Sequence, residues 1–407
     1  MKKLVVIICV IIGVLTFFLL NKPADNRVVI KFSTWGSQSE IALLKPLIQE
    51  FEKENPDIKI KLLHIPQNYF QKLHLLFASN LAPDVIFINN YYLPKYLNAG
   101  LLEDLTPYVE KDDYFSKALE NFTYKNKIYA VPRDVSNLVI YYNKNLFDKY
   151  KIKYPQSGWT MQDYLDTAKK FAQKGIWGTS YETDMLFWLP YLMSNGASVL
   201  SDDGRKILLD TKEAVEAIDF YASLANAYNV APKKSDSASL TMAQLFLQQK
   251  MAMHLSGRWL VPKYRAEAQF DWDIAPFPAG KNGSVVNIDA SGYALSKKSK
   301  HKKEALKFIK FITSQKSLAA LTKSGLIIPA RKDTAYSNVF LDKTKKPASS
   351  EIFLKIIETG KVTPVNENYQ KINDILNTGL EPLFLGKEKA RDLLNSGLLI
   401  DLSRYAY

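Results

Sequence analysis

The residues best suited to chemistry in this chain are tryptophans that sit beside turn residues and polar groups. Trp35 follows the first predicted strand, Trp188 lies in an apolar run before Pro190, and Trp259 follows Gly257. A pyranose ring has an apolar C–H face that stacks on an indole and a rim of hydroxyls that donate and accept hydrogen bonds. The pattern therefore suits carbohydrate binding, although each indole would also fit a hydrophobic core.

The short motifs of common enzyme classes are absent from the sequence. It contains no G-x-S-x-G elbow, no G-x-G-x-x-G turn and no G-x-x-x-x-G-K-[ST] loop. The histidines, His64, His74, His254 and His301, have no metal-ligand spacing, and Cys9 is the only cysteine. We predict no catalytic residue, no metal and no cofactor. Carboxylates are plentiful, so an exported glycoside hydrolase stays as an alternative.

The first 26 residues indicate export. Lys2 and Lys3 precede an unbroken apolar run of 17 residues, Leu4 to Leu20. As a helix this run would span roughly 25 Å, the lower limit for crossing a bilayer. A cleaved signal peptide and an uncleaved membrane anchor both fit, and the lack of an A-x-A pattern or of a cysteine at its end favours the anchor. We expect the body of the protein outside the cytoplasm, in the periplasm or on the outer face of the membrane.

Composition and charge describe an ordinary packed protein. The chain has 407 residues, of which 47% are hydrophobic and 23% charged, and this length predicts about two to three domains. The net charge of +13 could favour acidic lipid, cell-wall polyanions or nucleic acid, but lysines scattered over helix faces favour a solvated surface. Export argues against nucleic acid.

Hydrophobic periodicity predicts an α/β fold. Strands are predicted at 28–33, 58–64 and 84–88, with helices at 39–55 and 68–80 between them. Open parallel sheets bind ligands at the carboxyl ends of their strands, which nominates the loops at 34–37, 66–67 and 89–91. A Lys-rich helix is predicted over 296–314, with its lysines facing solvent.

Seven blocks of sequence follow one another between Arg27 and Lys332. They are residues 51–66, 82–112, 131–149, 243–265, 270–283, 291–314 and 323–332, and include APDVIFINN, VPRDVSNLVIYYN and SGRWLVPKYR. In this order they resemble the extracellular solute-binding proteins of ABC importers, specifically the sugar-binding family that includes maltose- and glycerol-3-phosphate-binding proteins.

The resemblance implies a non-catalytic receptor with the class II periplasmic-binding-protein fold, in which a hinge joins two α/β lobes and ligand is held in the cleft between them. The chain would cross between the lobes near Arg133, Asp289 and Pro329. Lobe 1 would then hold residues 27–133 plus 289–329, and lobe 2 residues 134–288 plus 330–407.

The resemblance also implies which residues face the ligand. They are Trp35, Gln38, Asn89, Asn90, Arg133, Asp134, Trp188, Gly257, Arg258, Trp259, Asp289, Ser291 and Arg331. Some of these have structural alternatives. Arg133 and Asp134 would also make an ion pair at the hinge. Asn89 and Asn90 would also form turns, and Arg331 would also close the third crossing.

The implied partners are a sugar or oligosaccharide, the permease subunits of an ABC transporter, and the membrane through the N-terminal segment. The protein is expected to be a monomer that binds no nucleic acid. Glycerol 3-phosphate or a phosphodiester is the alternative ligand, since Arg133, Arg258 and Arg331 could supply positive charge. The residues 287–290 replace a more Gly-rich stretch of the relatives, so the identity of the sugar does not transfer.

Overall fold

The structure, a computed structural model, describes residues 26–233, 235–236 and 239–406. The predicted leader, including Cys9, lies outside the described residues except for its last residue, Asn26. The strands are β1 (Val28–Thr34), β2 (Ile58–His64), β3 (Val85–Asn89), β4 (Thr123–Tyr124), β5 (Lys127–Ile128), β6 (Val131–Ser136), β7 (Leu138–Asn143), β8 (Met253–Gly257), β9 (Trp272–Ala275), β10 (Asn287–Leu295), β11 (Ile328–Pro329) and β12 (Lys361–Val362).

Helices connect these strands and cover their faces. They are α1 (Gln38–Glu54), α2 (Tyr69–Ala78), α3 (Leu93–Asn98), α4 (Ser116–Glu120), α5 (Lys144–Lys149), α6 (Met161–Ala172), α7 (Met185–Ser194), α8 (Lys212–Asn226), α9 (Met242–Leu247), α10 (Val261–Glu267), α11 (Lys302–Ile312), α12 (Gln315–Lys323), α13 (Lys332–Ala335), α14 (Glu351–Thr359), α15 (Tyr369–Gly379), α16 (Glu381–Phe384), α17 (Ala390–Leu393) and α18 (Leu399–Ser403). In the described part of the chain, the first of these elements is β1, which begins at Val28.

The strands form two principal sheets. The larger has the order β11-β6-β10-β3-β1-β2, and β12 pairs with the first two residues of β10. The smaller has the order β8-β7-β9 and is antiparallel. The predicted β-α-β-α-β start is confirmed, because β1 pairs in parallel with both β2 and β3. Beyond β3 the larger sheet is mixed, since β10 runs antiparallel to β3 and β6.

Local sequence explains the first crossover. Gly36 has a φ of +119°, a conformation that favours glycine, and so lets the chain turn sharply after β1. The hydroxyl of Ser37 then accepts a hydrogen bond from the Glu40 amide at 3.2 Å and caps α1. The buried residues of α1 recur every three or four positions and face the sheet.

The chain passes between the two sheets at short connections. Asn137 alone separates β6 from β7, and residues 276–286 lead from β9 back to β10. After β11 the chain contacts both sheets, because Ser349 donates a hydrogen bond to Asp273 of β9 in the smaller sheet, whereas β12 pairs with β10 in the larger one. Residues 361–362, which the predicted boundaries give to lobe 2, thus pair with the larger sheet, while α15, α16 and α17 pack on α7 and α8. The boundaries themselves stay a prediction.

Candidate functional site

Strand register brings several predicted residues to one edge of the larger sheet. Thr34 pairs with His64 at the carboxyl ends of β1 and β2, so the loop that carries Trp35 starts at this edge. Ser291 of β10 lies opposite both Asn89 and Asp134. We call this the ligand edge, because it combines the carboxyl ends of β1, β2 and β3 with the predicted residues of β6 and β10.

A buried ion-pair network surrounds Arg133. Its Nε lies 2.5 Å from Asp134 Oδ2, its Nη1 lies 2.7 Å from Glu40 Oε1, and its guanidinium lies 4.1 Å from the centre of the Phe87 ring. Burial alone would lower the pKa of Arg133, but the two carboxylates outweigh it and raise the pKa. The guanidinium is therefore charged and already paired, as the hinge alternative expected. Glu40 was missed by the sequence analysis.

Asp289 is the centre of a second buried network. Its carboxylate accepts hydrogen bonds from Asn90 Nδ2 at 3.0 Å, Tyr91 Oη at 2.5 Å, Asn287 Nδ2 at 2.6 Å and Thr363 Oγ1 at 2.7 Å. A carboxylate has about four acceptor positions, so these bonds leave Asp289 none for a ligand. Burial raises its pKa although all four donors oppose the shift. Asp289 and Asn90 act as connections between segments in this conformation.

Three other polar candidates differ in their surroundings. Asn89 is half-buried, and its side-chain oxygen accepts from the Tyr92 amide at 3.3 Å, so it forms a turn. Gln38 is exposed at the first position of α1, and Ser291 is half-buried. Gln38 and Ser291 therefore have surface available to a ligand at the ligand edge.

An aromatic group lies behind the loop after β1. The half-buried Trp35 ring lies 4.1 Å from the Phe87 ring, 5.1 Å from Tyr69 and 5.4 Å from Phe70, measured between ring centres. Phe70 in turn stacks on Tyr92 at 3.5 Å. Sequence analysis did not single out Phe70, which lies within the predicted helix 68–80, or Tyr92, which directly follows the nominated loop 89–91.

Trp188 does not reach any surface. It lies in α7 with its side chain fully buried, and its indole Nε1 has no hydrogen-bond partner among the described residues. The expectation that this ring faces a ligand is thus not met in this conformation. Its burial follows from the run 185–194, in which nearly every residue is buried.

Trp259 is the most exposed of the predicted aromatic residues. Its side chain is 37% exposed, and it lies in the short turn Arg258–Leu260 after β8. The indole packs directly on Gly257, because a Cβ atom built on that glycine would lie 1.9 Å from Cζ3 of the ring. Gly257 therefore fixes the position of the indole, and part of the side chain is open to solvent.

Arg258 is buried without a carboxylate. Its Nη1 lies 3.4 Å from Ser350 Oγ, its guanidinium lies 4.1 Å from the Phe340 ring centre, and its Nε has no partner among the described residues. Burial lowers the pKa of Arg258 to about 9. Ring faces attract the cation, so Arg258 is held by aromatic side chains rather than by an anion.

Arg331 is tied to acidic side chains. Its Nη1 lies 2.9 Å from Asp113 Oδ2, and its Nη2 lies 2.7 Å from Asp333 Oδ2. The guanidinium also lies 5.5 Å from the Tyr114 ring centre. These contacts join α13 to the turn at 111–114, which agrees with the structural alternative for this residue.

A carboxylate with a raised pKa lies just before α7. Burial, and secondarily the charge of Asp184, raise the pKa of Glu182 to about 7. Its Oε1 lies 4.0 Å from Nε2 of the buried His254, whose pKa is lowered to about 3 by burial. Because His254 is neutral near pH 7, it does not stabilise the Glu182 charge. The sequence gives no signal for this residue.

Other observations bound what the described residues can do. They contain no group of three or more His, Cys, Asp or Glu side chains placed to hold a metal ion. Among the helices between residues 26 and 406, none is both long and apolar enough to cross a bilayer. A cavity of about 500 Å³ lies between α6, α7 and α8, and none of the predicted ligand residues lines it.

Comparison with known proteins decides the family. The profile of the bacterial extracellular solute-binding proteins matches residues 35–319. The chain belongs to this family. A Listeria monocytogenes ABC substrate-binding protein in complex with cycloalternan is 28% identical and superimposes with a TM-score of 0.84 over 93% of this chain and 98% of that chain. Maltose-bound MalE3 of T. maritima is 23% identical, with a TM-score of 0.81 over 93% and 99% of the two chains.

A relative found by sequence also covers most of the chain. The maltodextrin-binding protein of Bacillus subtilis is 26% identical over 84% of this chain and 81% of its own. The structural likenesses confirm the predicted two-lobed α/β fold. Family membership also confirms the resemblance on which the solute-binding function was expected.

Proposed function

We propose that this protein is the extracytoplasmic component of an ABC importer that captures a sugar or oligosaccharide by closing its two lobes, without catalysis. The observation that carries the proposal is the match of 93% of the chain to the Listeria monocytogenes ABC substrate-binding protein in complex with cycloalternan. Relatives named for maltodextrin and for multiple sugars support the same ligand class.

The charges at the site favour a neutral sugar over a phosphate. A phosphate ligand needs free cations, yet Arg133 is paired with Glu40 and Asp134, and Arg331 is paired with Asp113 and Asp333. The third arginine, Arg258, has no carboxylate among the described residues, but it is buried against aromatic rings and has little surface for a ligand. Bringing an anion beside those carboxylates costs electrostatic energy in a partly desolvated site. Glycerol phosphate is therefore the weaker candidate.

Sugar contacts are assigned to the accessible members of the predicted set. Trp35 and Trp259 supply apolar ring surface, while Gln38, Asn89 and Ser291 supply hydrogen-bonding groups on the same sheet edge as Trp35. The buried members hold these residues in place. Asp289 and Asn90 connect β3 with β10, and Arg133 connects β6 with α1.

A ligand screen tests the proposal. Thermal unfolding of the purified protein is measured with mono-, di- and trisaccharides, cyclic oligosaccharides and glycerol phosphates. A ligand at 100 times its Kd stabilises the folded state by about 2.7 kcal/mol, and we expect this only for a sugar. Calorimetry at low and high salt then checks that the sugar affinity is nearly salt-independent. Stabilisation by glycerol phosphates alone, with affinity that falls as salt rises, contradicts the proposal.

Lobe closure and the leader have separate tests. Small-angle scattering should give a smaller radius of gyration with bound sugar, since the ligand favours the closed state through contacts with both lobes; an unchanged radius at saturation argues against closure.

We also propose that the Leu4–Leu20 run is retained as an anchor. The full chain should then stay with membranes, and a native N-terminus near Asp25 found by mass spectrometry contradicts retention.

A further inference from the structure

A group of exposed lysines lies at the end of the larger sheet opposite the ligand edge. β10 ends at Leu295, beside the start of β3 at Val85, and the chain continues into a loop before α11. Exposed lysines line this loop and the first turns of the helix; we call them the lysine edge, and they are Lys297, Lys298, Lys300, Lys302, Lys303 and Lys307.

Most of this charge is not neutralised within the protein. Lys302 pairs with Glu103 at 2.6 Å, and Lys298 donates to Asn80 Oδ1 at 3.2 Å. For Lys297, Lys300, Lys303 and Lys307, no carboxylate of the described residues lies within 4 Å. The buried Asp84 accepts a hydrogen bond from Ser299 at 2.6 Å and fixes the loop. The lysine edge is thus an ordered cationic surface.

Two exposed leucines lie at the end of α2, and one of them follows a residue that Lys298 contacts. Leu75 near the end of α2 is 66% exposed, and Leu81 just after it is 56% exposed. Asn80, next to Leu81, is the residue that Lys298 contacts. Cations beside apolar side chains are typical of surfaces that lie on anionic bilayers, where the lysines meet phosphate groups and the leucines enter the interface. A soluble polyanion would contact the lysines but would not bury the leucines.

The folded body begins at the same end of the sheet. β1 starts at Val28 and runs toward the ligand edge, and the Lys31 amide donates to Asp84 at 2.8 Å. β1 and β10 are both neighbours of β3, so they lie two strand spacings, about 10 Å, apart. Residues 21–27 separate β1 from the apolar run, and seven extended residues reach at most roughly 25 Å.

We propose that the lysine edge is a membrane-contact surface for anionic phospholipid. With the apolar run in the bilayer, the short connection keeps this edge close to the headgroups, and the lysines and leucines then hold the body in one orientation. The seven residues of β1 place the ligand edge roughly 23 Å farther from the lipid. The proposal concerns lipid and does not rest on the identity of the sugar.

Vesicle binding by a chain starting at Arg27 tests this contact without insertion of the leader, since this chain holds the described elements from Val28 onward. We expect binding to vesicles of phosphatidylcholine mixed with phosphatidylglycerol, little binding to phosphatidylcholine alone, and a decrease with salt. Lys300→Gln with Lys303→Gln should weaken binding about 25-fold, at about fivefold per lysine.

A matched control uses exposed lysines on α6 and just after it. Lys170→Gln with Lys174→Gln removes the same charge from another surface and should change vesicle binding less than twofold to threefold. Leu81→Ser should also weaken vesicle binding. The proposal is overturned if both lysine pairs lose the same amount of vesicle binding, or if neutral vesicles bind as well as anionic ones. It is also overturned if soluble polyphosphate binds more tightly than vesicles and Leu81→Ser has no effect. For the full chain in anionic bilayers, chemical acetylation should be slower at Lys300 and Lys303 than at Lys170 and Lys174, and equal rates would also overturn it.

Discussion

Replacing Trp259 by alanine should weaken sugar binding strongly. The indole is 37% exposed, which for a side chain of roughly 250 Å² is about 90 Å². If a pyranose covers this area, its burial contributes about 2.3 kcal/mol at about 25 cal/mol per Å². The Kd should therefore rise about fortyfold in Trp259→Ala. Because the rest of the side chain packs on the protein, including Gly257, the substitution also removes packing, so thermal unfolding of the variant is measured beside its affinity.

The assay is titration calorimetry with the sugar that gives the largest thermal shift. Tyr124→Ala is the matched control, since this ring is 42% exposed. It lies in the hairpin of β4 and β5, just before the start of β6, and this start is at the opposite end of the sheet from the ligand edge. The control should bind like the wild type. A Kd for Trp259→Ala within about threefold of the wild type, with an intact unfolding transition, refutes the stacking of sugar on this indole.

Three further changes follow from the same structure. Gly257→Ala should displace the Trp259 ring, since the new Cβ would lie 1.9 Å from it; calorimetry should show weakened sugar binding, and wild-type affinity contradicts the assigned ring position. Trp188→Ala should lower the free energy of unfolding by about 3–5 kcal/mol, whereas Trp188→Phe should cost less because it removes an N–H without a partner; urea unfolding that shows equal losses would argue against this. The pKa of Glu182 is raised to about 7, so its ionisation opposes folding and stability falls as pH rises through that value; Glu182→Gln should flatten this part of the stability profile, and an unchanged profile between about pH 5 and pH 8 contradicts it.

Sequence alone predicted the start of the fold well. The alternation of β1, α1, β2, α2 and β3 is a local pattern, and the observed bounds agree with the predicted ones to within a few residues. The antiparallel insertion of β10 between β3 and β6 was not predictable in this way, because pairing partners about 200 residues apart leave no periodic signal.

The lysine helix shows where local pattern fails. It was predicted over 296–314, yet α11 begins only at Lys302. The Ser296 amide donates to the Asp84 carbonyl, and Ser299 donates to the Asp84 carboxylate. These contacts with a distant strand keep 296–301 as a loop. Tertiary hydrogen bonds here override helix propensity.

The candidate site was predicted by residue type better than by role. Arg133, Asp134 and Asp289 lie on strands of the larger sheet at the ligand edge, but their hydrogen bonds go to other protein groups. The buried Trp188 illustrates the same difficulty, because the sequence around an indole does not tell whether the ring lies in a core or in a binding site. Partners such as Glu40 and Thr363 come from remote segments that no spacing connects to them.

The central place of β10 sets the order in which the chain can fold. β3 and β6 are separated in the sheet by β10, so β3 has only β1 beside it, and β6 has no partner in this sheet, until residues 287–295 are synthesised. The Asp289 network needs Thr363 as well. At about 5–20 residues per second, that delay after β3 is roughly 10–40 s. Such non-local pairing folds slowly. The larger sheet can therefore close only after most of the chain has been made, which leaves β1, β2 and β3 without their final packing for that time.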